Sequence, residues 1–109
     1  MALLVVPDQY LYSRRGQIVL LATRHAIATS FSSRDSVVAG GLMSYGANLS
    51  NAYRQAGIYI ARILKGEKPA DLPVIQATRF DLVLNLNAAK TLGIEIPAKV
   101  LALADEVIE

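Results

Sequence analysis

Short apolar runs alternate with segments of helical periodicity along the first half of the chain, and this alternation limits the fold more than any other feature. The first run, residues 3–6, is apolar at every position and ends at Pro7. A strand that is apolar on both faces is typical of the interior of a parallel sheet. Two further runs, 27–31 and 42–45, each follow one helical segment. This order predicts a βαβαβ unit with right-handed crossovers.

Capping residues and periodicity predict the positions of the helices. Ser13 is expected to cap a helix over 14–26. Ser32 and Ser33 together, or Ser33 alone, are expected to cap a short helix through Ala39 that Gly40 stops. The clearest helical pattern runs from a cap at Asn48 or Ser50 to Gly66, which lies just past its end. Its apolar residues form one face, referred to below as the apolar stripe: Leu49, Ala52, Tyr53, Ala56, Ile60, Ile63 and Leu64.

The second half of the chain continues the same pattern. A strand over 74–85, a short helix capped by Asn87 and a last helix that starts at Pro97 and runs through Ile108 are expected. The predicted fold class is α/β: a three-layer αβα arrangement with an open, mostly parallel sheet. Residues 1–109 are expected to form one lobe.

Composition indicates what such a domain contacts. Apolar residues make up 53% of the chain and charged residues 18%, where about 45–50% and about 25% are usual. In so short a chain, this surplus predicts apolar surface that is meant for a partner. The net charge is only +2 and the basic residues are scattered, so no nucleic-acid partner is expected. No apolar stretch approaches membrane-spanning length, and no signal peptide is recognisable after Met1.

The sequence lacks the common enzyme signatures, including the P-loop, the dinucleotide fingerprint and the zinc-protease and serine-hydrolase motifs. The chain has one histidine, His25, and no cysteine. Asp105 and Glu106 are adjacent on a predicted helix and therefore point in different directions, as on a solvated face. We therefore expect no enzyme activity, no catalytic residue, no metal site and no cofactor.

The predicted sheet itself indicates where a ligand would bind, because open parallel sheets bind ligands beyond the carboxyl ends of their strands. Asp8 offers an acceptor for an ammonium or hydroxyl group, Tyr45 a flat apolar face with a hydroxyl, and Gly46 an unshielded backbone N–H. Asp8 also fits a turn or cap position, and Tyr45 a packed aromatic at the rim. Together these residues predict a small polar ligand.

Five stretches carry a recognisable pattern: 39–46 (AGGLMSYG), 52–57 (AYRQAG), 63–74 (ILKGEKPADLPV), 80–93 (FDLVLNLNAAKTLG) and 104–109 (ADEVIE). They resemble the C-terminal part of solute-binding proteins of bacterial ABC transporters, in the group described as binding sugars or tryptophan and other aromatic amino acids. The likeness is looser over 1–38, where Arg34 occupies a position at which such proteins often carry an arginine. The resemblance therefore adds Arg34 to the candidate ligand-binding residues.

The resemblance implies one lobe of a periplasmic-binding-protein type I-like fold, in which two α/β lobes close on a ligand. It implies an ABC permease as partner and a periplasmic location, although the chain expressed as given would be cytoplasmic. Such proteins are much longer, so the chain is expected to correspond to a C-terminal lobe without the N-terminal lobe. In them, the helix at 49–64 would pack on that other lobe. In its absence we expect a homodimer through this helix.

Two alternatives to a solute-binding lobe stay open at this point. One is a small flavodoxin-like or receiver-like α/β domain with a signalling or enzymatic role at the same strand ends. A receiver needs an acidic cluster there, and only Asp8, with Asp35 nearby, is available. The other is a dimerising remnant that binds nothing.

Overall fold

The computed structural model describes residues 1–109 and contains one five-stranded sheet. The strands lie side by side in chain order: β1 (Ala2–Leu4), β2 (Ala28–Phe31), β3 (Met43–Ala47), β4 (Phe80–Asn85) and β5 (Glu106–Ile108). The pairs β1–β2, β2–β3 and β4–β5 are parallel. The mostly parallel α/β sheet predicted from the sequence is therefore confirmed, and β5 is a strand that the sequence did not predict.

β4 runs in the opposite direction to β3. Leu42, just before β3, accepts a backbone hydrogen bond from Asn85 N at the end of β4 (2.9 Å). Asn48, just after β3, donates to the carbonyl of Arg79, just before β4 (3.1 Å). Because these bonds connect the two strands in reverse order, the pairing is antiparallel. The carboxyl ends of β1–β3 therefore share one edge of the sheet with the amino ends of β4 and β5.

Six α-helices and one 3-10 turn connect the strands: α1 (Gln9–Ser13), α2 (Arg15–Arg24), α3 (Arg34–Val38), α4 (Leu49–Leu64), the turn Pro69–Asp71, α5 (Leu86–Leu92) and α6 (Ala98–Leu103). α2 contacts both α3 and α5, and the core lies beneath these helices. Val37 is fully buried there, with Phe31 and Leu84 nearly so. None of the helices is both long and apolar enough to cross a membrane.

Alternate residues of β2 and β3 face opposite sides of the sheet. Thr29, Phe31 and Ser44 point into the core and are nearly fully buried. Tyr45, the residue after Ser44, therefore points to the other side, where it is 60% exposed.

The chain divides into two compact units, Met1–Gly46 with Asp81–Glu109, and Ala47–Phe80. The second unit contains α4. Its first turn is capped by Asn48, one of the two predicted caps, whose Oδ1 accepts from Asn51 N at 2.7 Å. α4 has no buried residue, and its apolar stripe is exposed, with Tyr53 at 75% and Leu64 at 82%. Residues 73–79 form neither helix nor strand, so the strand predicted from residue 74 begins only at Phe80.

Three of the predicted helix boundaries are wrong for local reasons. Asp8 caps an additional helix, α1, and Ser13 instead donates from Oγ to the carbonyl of Tyr10 (2.6 Å), so it caps nothing. α5 is capped by Asn85 rather than Asn87, since the Oδ1 of Asn85 accepts from Ala88 N at 3.0 Å. The last helix ends at Leu103, because the residues after it pair with β4 as a strand.

We predict that Val37→Ala lowers the free energy of unfolding by about 2 kcal/mol, because it deletes two methyl groups from a fully buried site. The neighbouring Val38 is 56% exposed and serves as the matched control. Val38→Ala is expected to change the stability by less than about 0.5 kcal/mol. Urea unfolding followed by circular dichroism measures both values, and equal losses would contradict the described core.

Candidate functional site

The carboxyl ends of β1 and β2 form a small concave site at one edge of the sheet. A cavity of about 20 Å³ lies there, lined by residues that follow the two strands, among them Asp8, Tyr12, Ser32 and Ser33. The Oγ atom of Ser33 is buried and has no hydrogen-bond partner. A cavity of this size has room for about one water molecule. The cavity is therefore too small to enclose a molecule of amino-acid size.

Asp8 stands directly beyond β1 with its side chain fixed by the start of α1. Its Oδ1 accepts a hydrogen bond from Leu11 N at 3.0 Å. This is the capping role that the sequence also allowed for Asp8. Its second carboxylate oxygen makes no hydrogen bond within the protein, so one acceptor of Asp8 is still available at the edge.

Gly46, near the end of β3, allows a close approach between that strand and the segment after β2. A Cβ atom built on Gly46 would overlap the carbonyl oxygen of Ser32. Only glycine fits this position without movement of the backbone. The contact places Gly46 beside Ser32, and therefore beside the small cavity that Ser32 and Asp8 line.

Arg34, the first residue of α3, forms a two-pronged ion pair with Glu106, the first residue of β5. Arg34 Nε donates to Glu106 Oε2 at 2.5 Å, and Nη2 donates to Oε1 at 2.7 Å. Both side chains are more than one-third exposed. The hydrogen bond from Arg34 is the main reason that the pKa of Glu106 is lowered from its ordinary value.

The structure thus brings part of the predicted constellation together. Asp8 and Gly46 meet around Ser32, and Arg34 follows Ser33 but extends to β5. Tyr45 lies on the opposite side of the sheet from the core.

The sequence did not predict the pairing of Glu106 with Arg34, because this pairing depends on residues 106–108 forming a strand beside β4. A signal was present in the β-branched Val107 and Ile108 that follow it.

Two larger cavities lie elsewhere. One of about 490 Å³ is in the unit that carries most of the sheet, where Ile27, Gly40 and Leu42 mark the amino ends of β2 and β3. The other, about 580 Å³, is within Ala47–Phe80, between α4 and the segment 72–79. No group of three acidic, histidine or cysteine side chains is placed to hold a metal ion.

Comparison with protein families gives a match over almost the whole chain. The model of the ABC transporter substrate binding protein family matches residues 1–108. A comparison with curated proteins gave no match.

Solved structures similar to this chain include three bacterial proteins. The ABC domain from Streptococcus pneumonia, in complex with L-Trp, is 33% identical with a TM-score of 0.91 over 98% of this chain. A conserved domain protein from Vibrio cholerae O1 biovar El Tor is 30% identical with a TM-score of 0.90 over 97%. A ligand-free, open substrate-binding protein with adhesive properties from Clostridium difficile is 26% identical with a TM-score of 0.66 over 98%. The chain spans 36% of the length of each.

We predict that Gly46→Ala costs about 1–3 kcal/mol of stability, because the new methyl group overlaps the carbonyl oxygen of Ser32. Gly57, in the middle of α4, is the matched control, since a Cβ built there meets nothing within 4 Å. Gly57→Ala is expected to stabilise the chain by about 0.5–1 kcal/mol, because alanine is the better helix former. Thermal unfolding measures the stability of both variants. If Gly46→Ala did not change the stability, the close approach of Gly46 to the carbonyl oxygen of Ser32 would be refuted.

Proposed function

The chain belongs to the ABC transporter substrate-binding protein family, and we propose that it binds a small polar solute, of the amino-acid or sugar class, at the carboxyl edge of β1–β3. One observation carries the proposal: a relative that is 33% identical over 98% of this chain is in complex with L-Trp. The family is one of binding proteins, so its members work without a catalytic step.

Each predicted residue has a distinct task in this proposal. Arg34 donates charge-assisted hydrogen bonds to a carboxylate or hydroxyl group of the solute. The second oxygen of Asp8 accepts from an ammonium or hydroxyl group. Gly46 donates its backbone N–H, and Tyr45 provides an aromatic surface at the rim. The open edge supports this assignment, because it leaves room for a solute that the 20 Å³ cavity does not hold.

We further propose that the chain acts as the C-terminal lobe of a two-lobed clamp. Its relatives are much longer, and the chain spans 36% of their length. The unit Ala47–Phe80 leaves the sheet after β3, returns at β4 and exposes the apolar stripe of α4. Packing on a second lobe would cover that stripe. A single lobe provides only part of the contacts of a clamp, so its affinity for the solute is expected to be low.

The transport partner and the location follow from family membership as proposals. An ABC permease would accept the solute from the closed clamp, and this exchange takes place in the periplasm or outside the cell. The family match favours this interpretation over a flavodoxin-like or receiver-like domain. A remnant that binds nothing differs from it in one measurable property, the binding of solute.

We predict that the chain binds L-Trp with a Kd of about 1 mM, a low affinity because a single lobe provides only part of the contacts of the proposed clamp. Arg34→Ala is expected to weaken the binding about tenfold or more, because it removes hydrogen bonds from a charged donor. Arg24→Ala, at the last turn of α2, is the matched control and is expected to leave the affinity unchanged. Titration calorimetry at high L-Trp concentration, with a parallel series of sugars, measures the affinity of the wild type and the two variants. Absence of binding to every solute would refute the proposed function.

We also predict that the isolated chain forms a homodimer through α4. The apolar stripe is exposed, and hiding apolar area stabilises an interface by about 25 cal/mol per Å² before the cost of association. Ile60→Lys is expected to shift the chain to monomer in light scattering at micromolar concentration. Leu103→Lys, at a position 74% exposed on α6, is the control and should leave the dimer intact. A wild-type chain that stays monomeric would contradict the dimer.

A further inference from the structure

The ion pair between Arg34 and Glu106 uses only one edge of the guanidinium group. Glu106 accepts hydrogen bonds from Nε and Nη2. The Nη1 amino group and the second hydrogen of Nη2 form the other edge of the same plane, and they make no hydrogen bond within the protein. Two parallel N–H groups on that edge match the two oxygens of a carboxylate. Arg34 can therefore hold Glu106 and a second carboxylate at the same time.

Both partners are attached to firmly held backbone. Glu106 lies opposite Val83 in the β4–β5 register, and Asp105 before it exchanges hydrogen bonds with Leu82 through backbone and side chain (2.8 and 2.7 Å). α3 is anchored by the fully buried Val37, whose carbonyl accepts from the Asn85 side chain at 3.2 Å. The ion pair thus joins two fixed elements across 72 residues of sequence.

We propose that Glu106 is a positioning residue for solute binding: it fixes the side chain of Arg34 so that the free guanidinium edge receives the carboxylate of the solute. The proposal rests on the proposed function, since it assumes that Arg34 contacts the solute. An exposed arginine that is held in advance loses less side-chain freedom when a ligand binds. The ligand class that benefits is a solute with a free carboxylate, such as an α-amino acid.

The negative charge of Glu106 is also consistent with an opposite role, in which Glu106 competes with the carboxylate of the solute for Arg34. Asp35 acts on Arg34 and Asp81 acts on Glu106, so the surroundings of the pair contain further negative charge. The two roles predict opposite effects of removing the charge of Glu106. Positioning predicts weaker binding of a carboxylate, whereas competition predicts tighter binding.

The test compares two probes, L-Trp and tryptamine, which lacks the carboxylate, by NMR titration of the full chain. Glu106→Gln keeps the shape of the side chain and removes its charge. We expect it to weaken L-Trp binding about two- to fivefold, the range of an exposed ion pair, and to leave tryptamine binding unchanged. Glu67→Gln, in the similarly exposed Arg62–Glu67 pair at 2.8 Å, is the matched control and should change neither affinity.

A second variant separates positioning from a general structural effect. With Arg34→Lys, which cannot present two parallel N–H groups, Glu106→Gln should cause no further loss of L-Trp binding. Equal weakening of L-Trp and tryptamine by Glu106→Gln would show a structural role and overturn the proposal. Unchanged or tighter L-Trp binding would also overturn it while the proposed function stands. If the wild-type chain binds no solute, both the proposal and the proposed function are refuted.

Discussion

The reversal of strand direction between β3 and β4 determines which strand ends, and therefore which side chains, lie at the same edge of the sheet. Because β4 is antiparallel to β3, the carboxyl ends of β1–β3 and the amino ends of β4 and β5 share one edge. This is why Arg34, after β2, reaches Glu106 at the start of β5. The chain passes from β3 into the unit Ala47–Phe80 and continues from that unit into β4.

The candidate site is an open surface and not an enclosed pocket. Its side chains are anchored by the fold, Asp8 by a helix cap and Arg34 by an ion pair, yet no cavity of solute size encloses them. Affinity in a clamp comes largely from burying the ligand between two surfaces. In the proposed clamp, the open edge with its preset polar groups would supply orientation and part of the hydrogen bonding, and a second surface would supply the burial.

Local signals in the sequence were sufficient for much of the fold. The apolar runs predicted β2 and β3, because strands beneath helices need apolar residues. Asn48 marked the start of α4. Gly93, whose φ is +69°, marked the end of α5. Local signals did not predict which strands pair when they are far apart in the sequence. Residues 106–108 carry a helical stripe, and only their register with β4 makes them a strand. The sequence predicted a site at the carboxyl ends of the strands. It did not predict the ion pair between Arg34 and Glu106, because this pair depends on β5.

The position of the bound solute tests the proposed binding site most directly. Backbone amide shifts of the full chain should be mapped during addition of L-Trp. A solute bound at the carboxyl ends of β1–β3 should cause the largest changes at Asp8, Ser32–Arg34 and Tyr45–Gly46, with smaller changes at Glu106. Changes centred on Ile27, Gly40 and Leu42 at the opposite edge, or on α4 and residues 72–79, would contradict a solute site at the carboxyl ends of β1–β3.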